Sequence, residues 1–201
     1  ADERAERVIL ADLERLLPGV PVVAEERAAA GEVPARLGEW FVLVDPLDGT
    51  REFVSRNGEF TVNIALIEAG RPVAGVVHAP ALGEVHVGAI GIGARAGRID
   101  PQGQIVWRDI AVREVPAEGL TVLASRSHGG PETEALIARL PVARRLSVGS
   151  SLKFCRLAEG AADLYPRFGR TMEWDTAAGE AVLAAAGGEV VDLDGRPLVY
   201  G

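Results

Sequence analysis

The sequence predicts a mixed α+β and α/β protein. Three observations lead there: an amphipathic opening segment, a series of short apolar runs of strand length separated by turn residues, and a later stretch in which strand-like and helix-like runs alternate. A length of 201 residues suits one large domain or two small intimate ones, and 48% hydrophobic with 25% charged residues allows both a core and a polar surface. The two styles of patterning divide the chain into residues 1–115, an N-terminal α+β part carrying a candidate metal-binding turn, and 116–201, a C-terminal α/β part that completes the site.

The opening helix is expected over 2–17. Val8, Ile9, Leu13, Leu16 and Leu17 recur at helical spacing there, and Pro18-Gly19 stops the run. Val20 to Ala24 reads as a short strand leading into Glu25-Glu26, and 28–38 reads as loop, with Gly31, Pro34 and Gly38. Trp40 to Val44 is continuously apolar and of strand length, so a buried strand is expected, ending in a turn at Asp45. Two β-rich runs, 60–67 and 72–78, flank Glu68-Ala69-Gly70-Arg71, a hairpin signal. Short strands are expected near 84–88 and 104–107, then a linker over 111–119. A strand at 120–124 precedes a helix over 131–140 opened by Pro131. Helices are expected at 150–159 and 175–186, with strand-like pieces near 143–148, 162–166 and 189–192.

Twenty-nine acidic against 21 basic residues give a formal charge of −8. Broad nucleic-acid binding needs a basic face and is excluded, whereas a small anionic substrate held by a few local cations is not. The single cysteine, Cys155, precludes an intrachain disulfide, and its apolar helical surroundings mark it as a buried structural thiol rather than a nucleophile. No apolar stretch is long enough to span a bilayer, and no export signal is visible, so a cytoplasmic location is expected. The chain opens on Ala1 directly into the amphipathic pattern and stops after Gly201; it reads as cut at both ends.

Chemistry concentrates on Asp45-Pro46-Leu47-Asp48-Gly49-Thr50. The segment follows a buried strand, so its side chains emerge at a sheet edge. Pro46 stiffens the backbone, Gly49 lets it approach a ligand closely, and Thr50 offers a hydroxyl and an N–H. Two carboxylates three residues apart can converge on a hard cation such as Mg²⁺. An ordinary hairpin turn would use the same residues. Two further acidic clusters, Glu25-Glu26 at a strand end and Asp175 at a helix start, tip the weighing toward a multi-metal phosphate site. Asp175 also suits a helix N-cap. His78, His86, Trp40 and Trp107 read as structural.

Taken in order, Glu25-Glu26, Asp45-Pro46-Leu47-Asp48-Gly49-Thr50 and Trp174-Asp175-Thr176-Ala177-Ala178-Gly179 resemble the signatures of the inositol-monophosphatase superfamily, Mg²⁺-dependent and lithium-sensitive phosphatases. The resemblance covers essentially the whole chain. It implies a layered αβαβα sugar-phosphatase fold, here truncated at both ends. Arg51-Glu52-Phe53, Asn57 to Asn63, Ser125-Arg126-Ser127-His128, Gly149 to Cys155 and Leu164-Tyr165-Pro166-Arg167-Phe168-Gly169 are similar to the 3′(2′),5′-bisphosphate nucleotidases of the bacterial CysQ type. That branch implies hydrolysis of adenosine 3′,5′-bisphosphate to AMP and phosphate, with 3′-phosphoadenylyl sulfate as a further substrate, in recycling a by-product of sulfate assimilation. By resemblance alone, an association with the periphery of the inner membrane is also open.

The resemblance further implies the roles. Glu25, Asp45 and the Leu47 carbonyl would hold one Mg²⁺; Asp45, Asp48 and Asp175 would hold a second; a third, weaker ion would sit near Glu25. Asp2 and Thr50, with Glu25, would orient and deprotonate the attacking water. Gly49 and Thr50 N–H groups would receive phosphate oxygens. Arg126, His128, Ser151, Lys153, Arg167 and Asp175 would contact the nucleotide. Arginine at 167, where inositol phosphatases place an acid, favours an anionic substrate. A sibling phosphatase of inositol or fructose phosphates and an inactive metal-binding fragment are the rival readings. The partner is thus a small nucleotide, with no nucleic-acid polymer and no transmembrane segment; the oligomeric state is left open.

Overall fold

The computed structural model describes residues 1–125 and 130–201. In chain order they form α1 (Asp2–Leu16), β1 (Val22–Ala24), α2 (Glu25–Ala29), β2 (Trp40–Asp48), α3 (Thr50–Val54), β3 (Thr61–Glu68), β4 (Arg71–Ala79), a 3₁₀ turn at Pro80–Leu82, β5 (Glu84–Ala89), β6 (Gly93–Ile99), β7 (Ile105–Ile110), β8 (Leu120–Ser125), α4 (Pro131–Ile137), β9 (Val142–Val148), α5 (Leu152–Ala158) and α6 (Glu173–Ala185). Strands β1 to β7 form one sheet in sequence order, and β8 pairs with β9 in a second. The β1–β2 pair is parallel and the other large-sheet pairs are antiparallel; β8–β9 is parallel, with α4 as its crossover.

Strand β2 explains the layering. Its apolar run has no polar face because both faces are covered. Phe41 and Leu43 join the core under α5 and α6, with Ile67, Val77, Phe154 and Val182. Val42 and Val44 join Leu13, Ile9 and Leu17 of the α1 side. The layers are therefore α1, large sheet, then α5 and α6; the β8–β9 sheet and its crossover helix lie between β7 and α5 in the chain. Helix α6 lies unusually close to the sheet. A Cβ on Gly75 of β4 would stand 2.5 Å from the Ala178 carbonyl oxygen and 2.9 Å from the Ala181 Cβ. Glycine facing alanine lets the two backbones meet where larger residues would overpack.

Several sequence expectations are corrected. The Asp45 segment is not a hairpin turn: β2 continues to Asp48. Strand β6 was not expected, because its Gly-Ala-Arg-Ala-Gly-Arg run lacks the branched residues that signal strands. Its small residues have a packing cause: Ala94 and Ala96 join the α6 core, and a Cβ at Gly97 would run into Ile105, Val85 and Trp107. Helices α2 and α3 were also not expected; each is five residues long, too short for a period to show. The strand-like pieces at 162–166 and 189–192 form only single bridges, Leu164 with Val122 and Val191 with Pro197. The linker at 111–119 lacks regular structure, yet Val112 packs on the core and its N–H donates to the Ala186 carbonyl at 3.0 Å. Cys155 is fully buried, and burial pushes its thiol well above the usual range.

His86, on β5, is 1% exposed and structural as expected. Its Nε2 lies 2.9 Å from Glu159, whose carboxylate also accepts from Arg108 at 2.7 Å and Arg156 at 2.9 Å. Burial opposes ionisation of Glu159, but the hydrogen bonds from His86 and Arg156 prevail and hold its pKa down to about 2, below the ordinary 4.5. A depressed carboxylate pKa gives stability that is fully present above the ordinary value and is lost as pH falls toward the folded one. The urea midpoint should therefore fall between pH of about 4.5 and about 2. Glu159→Gln should lower the midpoint at neutral pH and flatten that acid limb. An unchanged slope, read from urea titrations across the window, would remove Glu159 as its source.

Candidate metal centre and substrate cavity

Pairing of β2 with β3 shifts register between Asp45 and Asp48. Asp45 stands opposite Asn63 and Asp48 opposite Thr61, so Pro46 and Leu47 together oppose one residue, Val62. Residues three apart on a regular strand point to opposite faces. The extra residue of this bulge restores the parity. Asn63 and Thr61 belong to the buried face of β3 with Ala65 and Ile67, and the two aspartates stand against them. Pro46 has no N–H to lose from the ladder at a bulge. Leu47 donates its N–H to Asp45 Oδ1 at 2.9 Å.

Gly49 then turns the chain with φ of +89°, in the left-handed region, and caps α3. A side chain there would also come within 3.2 Å of the Ser150 Cβ. Ser150 itself has φ of +44°, a strained value for a residue with a side chain. Lys153 Nζ, 2.5 Å from the Ser150 carbonyl oxygen, helps hold it. A left-handed glycine turn before α3 thus meets a strained turn before α5.

Ser151 joins the pieces. Its N–H and Oγ both lie on Asp48 Oδ2, at 2.6 and 2.8 Å. Asn63 Nδ2 donates to the same Oγ at 2.8 Å, and the Asp175 carbonyl oxygen is 3.0 Å away. One hydroxyl has one proton, so Asp48 and the Asp175 carbonyl are alternative acceptors. Asp175 is the third residue of α6, not its N-cap as expected. Its Oδ2 accepts the Met172 N–H at 3.0 Å and Thr171 Oγ1 at 2.9 Å in a capping box.

These elements enclose a cavity of about 330 Å³ lined by Glu25, Asp45, Leu47, Asp48, Gly49, Thr50, Ser151, Lys153, Arg167 and Asp175, with Glu52, Tyr165, Arg170 and Thr171 on its wall. Burial, then the charges of Asp48 and Glu25, push Asp45 up to about 10. Burial also raises Asp48, outweighing the Ser151 donors and Lys153. Glu25 is raised by burial, against a hydrogen bond with Asp45. A bond between two carboxyls needs a proton, and a cation would take that proton's place. Lys153 is 4% exposed, and burial lowers it to about 8 against the pull of Asp48. Oxygen-only donors of this kind fit a hard divalent cation. Among the described residues no three His, Cys, Asp or Glu side chains stand in ligating geometry. Asp48 and Asp175 are turned onto protein donors.

The remaining expected residues are distributed as follows. Ser151, at 1% exposure and with its hydroxyl fully engaged, ties elements together rather than facing the cavity freely. Arg167 points into the region with one N–H on the Arg170 carbonyl at 2.9 Å, while its buried Nε has no partner. Asp2 is absent from the cavity wall: it lies at the exposed start of α1 with Oδ1 on the Ala1 ammonium at 3.1 Å and the Glu3 N–H at 3.0 Å. Arg126 and His128 lie outside the described residues. Sequence reasoning gave no role to Asn63, Glu52, Arg170 or Thr171. Only the Arg51-Glu52-Phe53 and Asn57–Asn63 motifs carried any signal of them.

A sequence model described as the inositol monophosphatase family matches residues 1–201. The chain is 48% identical over 200 residues to the 3′(2′),5′-bisphosphate nucleotidase CysQ of Escherichia coli strain K12, covering 100% of this chain and 78% of that one. It is similar to the crystal structure of CysQ from Bacteroides thetaiotaomicron, with TM-score 0.77 and 39% identity over 92% of this chain and 72% of that one. It is similar also to an inositol monophosphatase from Anabaena (Nostoc), with TM-score 0.81 and 28% identity over 98% and 77% of the two chains.

The Ser151 junction carries a measurable load. Ser151→Ala should lower stability by about 1–3 kcal/mol, because Asn63 Nδ2 and Asp48 would lose a buried partner. Urea denaturation measures this; an unchanged midpoint would mean that the junction bears no load.

Proposed function

The chain belongs to the inositol monophosphatase family, and on that premise we propose that it is a 3′(2′),5′-bisphosphate nucleotidase that releases phosphate from adenosine 3′,5′-bisphosphate, and from 3′-phosphoadenylyl sulfate, using two or three Mg²⁺ ions. The observation that carries the reading is one cavity lined by Glu25, Asp45, Asp48, Asp175 and the Gly49–Thr50 turn together with the cationic Lys153 and Arg167. Glu25, Asp45 and the Leu47 carbonyl would hold one ion, Asp45, Asp48 and Asp175 a second, and Glu25 would share a third. When bound, Mg²⁺ supplies charge neutralisation on the phosphoryl oxygens and a more acidic water.

The chain's own residues do the rest. Gly49 and Thr50 present N–H groups at the start of α3 to phosphate oxygens. The Thr50 hydroxyl, with Glu25, orients the water for in-line attack. Asp2 is assigned as their base on the resemblance alone. Arg167 takes the second phosphate, and its unpartnered buried Nε supports that role. Lys153 adds a cation fixed by its hydrogen bond to Ser150. Arg126 and His128 are assigned to the nucleotide on the resemblance alone. Among the described residues no helix is long and apolar enough to cross a membrane, and the cytoplasmic placement belongs to this reading through its substrate.

The test is Mg²⁺-dependent phosphate release from adenosine 3′,5′-bisphosphate, inositol 1-phosphate and fructose 1,6-bisphosphate. The nucleotide should be preferred; preference for either sugar phosphate would replace the assignment by a sibling activity. Asp48→Asn should cut turnover by about 100-fold or more, beyond the loss typical of outer-shell changes, with the circular dichroism spectrum retained. Arg167→Glu should weaken nucleotide use by roughly 10- to 100-fold, the worth of a charge-assisted hydrogen bond, and spare a simple aryl phosphate. An equal loss on both would refute its substrate role.

A further inference from the structure

Helix α2 begins at Glu25, and its cap is supplied from elsewhere. The residue before it, Ala24, is extended, and α2 has no capping side-chain hydrogen bond from that position. Serine, aspartate or asparagine is the usual solution there. Ala24 is instead 1% exposed, packed with Leu13, Val42 and Val44 between α1 and the sheet. An apolar layer that tight has no room for a polar cap.

The missing acceptor comes from α1. Glu6 is 4% exposed, although it sits on a helix whose other acidic residues face solvent. Its Oε2 accepts the Glu26 N–H at 2.8 Å and its Oε1 accepts the Arg27 N–H at 3.2 Å. One carboxylate thus covers two of the orphan donors in the first turn of α2. A two-point contact fixes the rotation of α2 about its own axis as well as its distance from α1. Glu25 is the first residue of that turn and lines the cavity. Asp2 lies one helical turn before Glu6 on the same face of α1.

We propose that Glu6 is a positioning residue of the metal centre: by capping α2 from α1 it sets the orientation of Glu25, and with it the spacing between Glu25 and Asp2. This rests on the reading of Glu25 as a metal ligand. Glu6 touches neither the cavity nor the substrate; it acts through the backbone of Glu26 and Arg27.

The test is Mn²⁺ binding to the full chain without substrate, followed by electron paramagnetic resonance of the free ion, beside urea unfolding without metal. Glu6→Ala should weaken Mn²⁺ binding about 10-fold, within the range of outer-shell changes. Glu6→Gln keeps an acceptor for one N–H and should fall between it and the wild type; it also carries the test if the alanine variant does not fold. Leu13→Ala, which loosens the packing of α1 on Val42 and Val44, should lower the unfolding midpoint and weaken Mn²⁺ binding by less than Glu6→Ala does. Wild-type affinity in Glu6→Ala, or the same loss in Leu13→Ala, would overturn the proposal. Asp48→Asn separates the two levels: if it leaves Mn²⁺ binding intact, the metal reading itself fails, and if it abolishes binding while Glu6→Ala does not weaken it, only the role of Glu6 fails.

Discussion

One irregularity in one strand pair determines where the chemistry can be. The bulge that sets Pro46 and Leu47 against Val62 puts Asp45 and Asp48 on the same face of the large sheet. Without it, one of the two would point toward α1. The face they share is the one covered by α5 and α6, and the N-terminal ends of both helices arrive there with Ser151 and Asp175. The ladder ends just past the bulge, at Asp48, and the backbone takes the left-handed step at Gly49 and begins α3. The two aspartates, the turn into α3 and the starts of α5 and α6 thus gather around one inserted residue.

That arrangement concentrates negative charge in a low-dielectric place. Asp45 is almost fully buried beside Asp48 and Glu25, and burial is the leading cause of its raised pKa. The local donors offset part of the cost: the Leu47 N–H on Asp45, the two Ser151 donors on Asp48, and Thr171 with the Met172 N–H on Asp175. Burial and mutual repulsion still hold Asp45, Asp48 and Glu25 above the usual carboxylate range. A site that is electrostatically incomplete in the protein alone is one that binding of a hard cation stabilises. The strain at Ser150, held by Lys153, has the same character: a local cost kept because it aligns the turn before α5 with the turn before α3.

The sequence disclosed these features unevenly. Asp45 to Thr50, Glu25 and Asp175 were legible because their chemistry is in residue type and order. The bulge was not, since Pro, Asp and Gly serve a turn equally well; only pairing with β3 distinguishes the two. Strand β6 was hidden because its alanines and glycines answer to α6 and to Trp107, not to strand preference. Asp175 was legible as a residue at a helix start, but not as the third residue of a capping box. Glu6 was invisible. An acidic residue on an amphipathic helix is ordinarily solvated, and nothing in α1 announces that α2 packs over it. Tertiary hydrogen bonds to backbone groups leave no pattern in the residues that make them.

The candidate ligands come from separate elements, so their mutual spacing is only as good as the packing between those elements. On one side α6 is seated by glycine against alanine, close enough that its backbone and that of β4 nearly touch. This fixes Asp175 relative to β2 through the sheet. On the other side α1 packs on Val42 and Val44 and reaches α2 through Glu6. Asp45 and Asp48 stand on the strand between. Asp175 thus comes in on α6, and Glu25 on α2, which follows β1 beside β2 and is capped from α1 by Glu6. Like-charged groups would otherwise relax apart, and apolar packing on both faces of the sheet resists that relaxation.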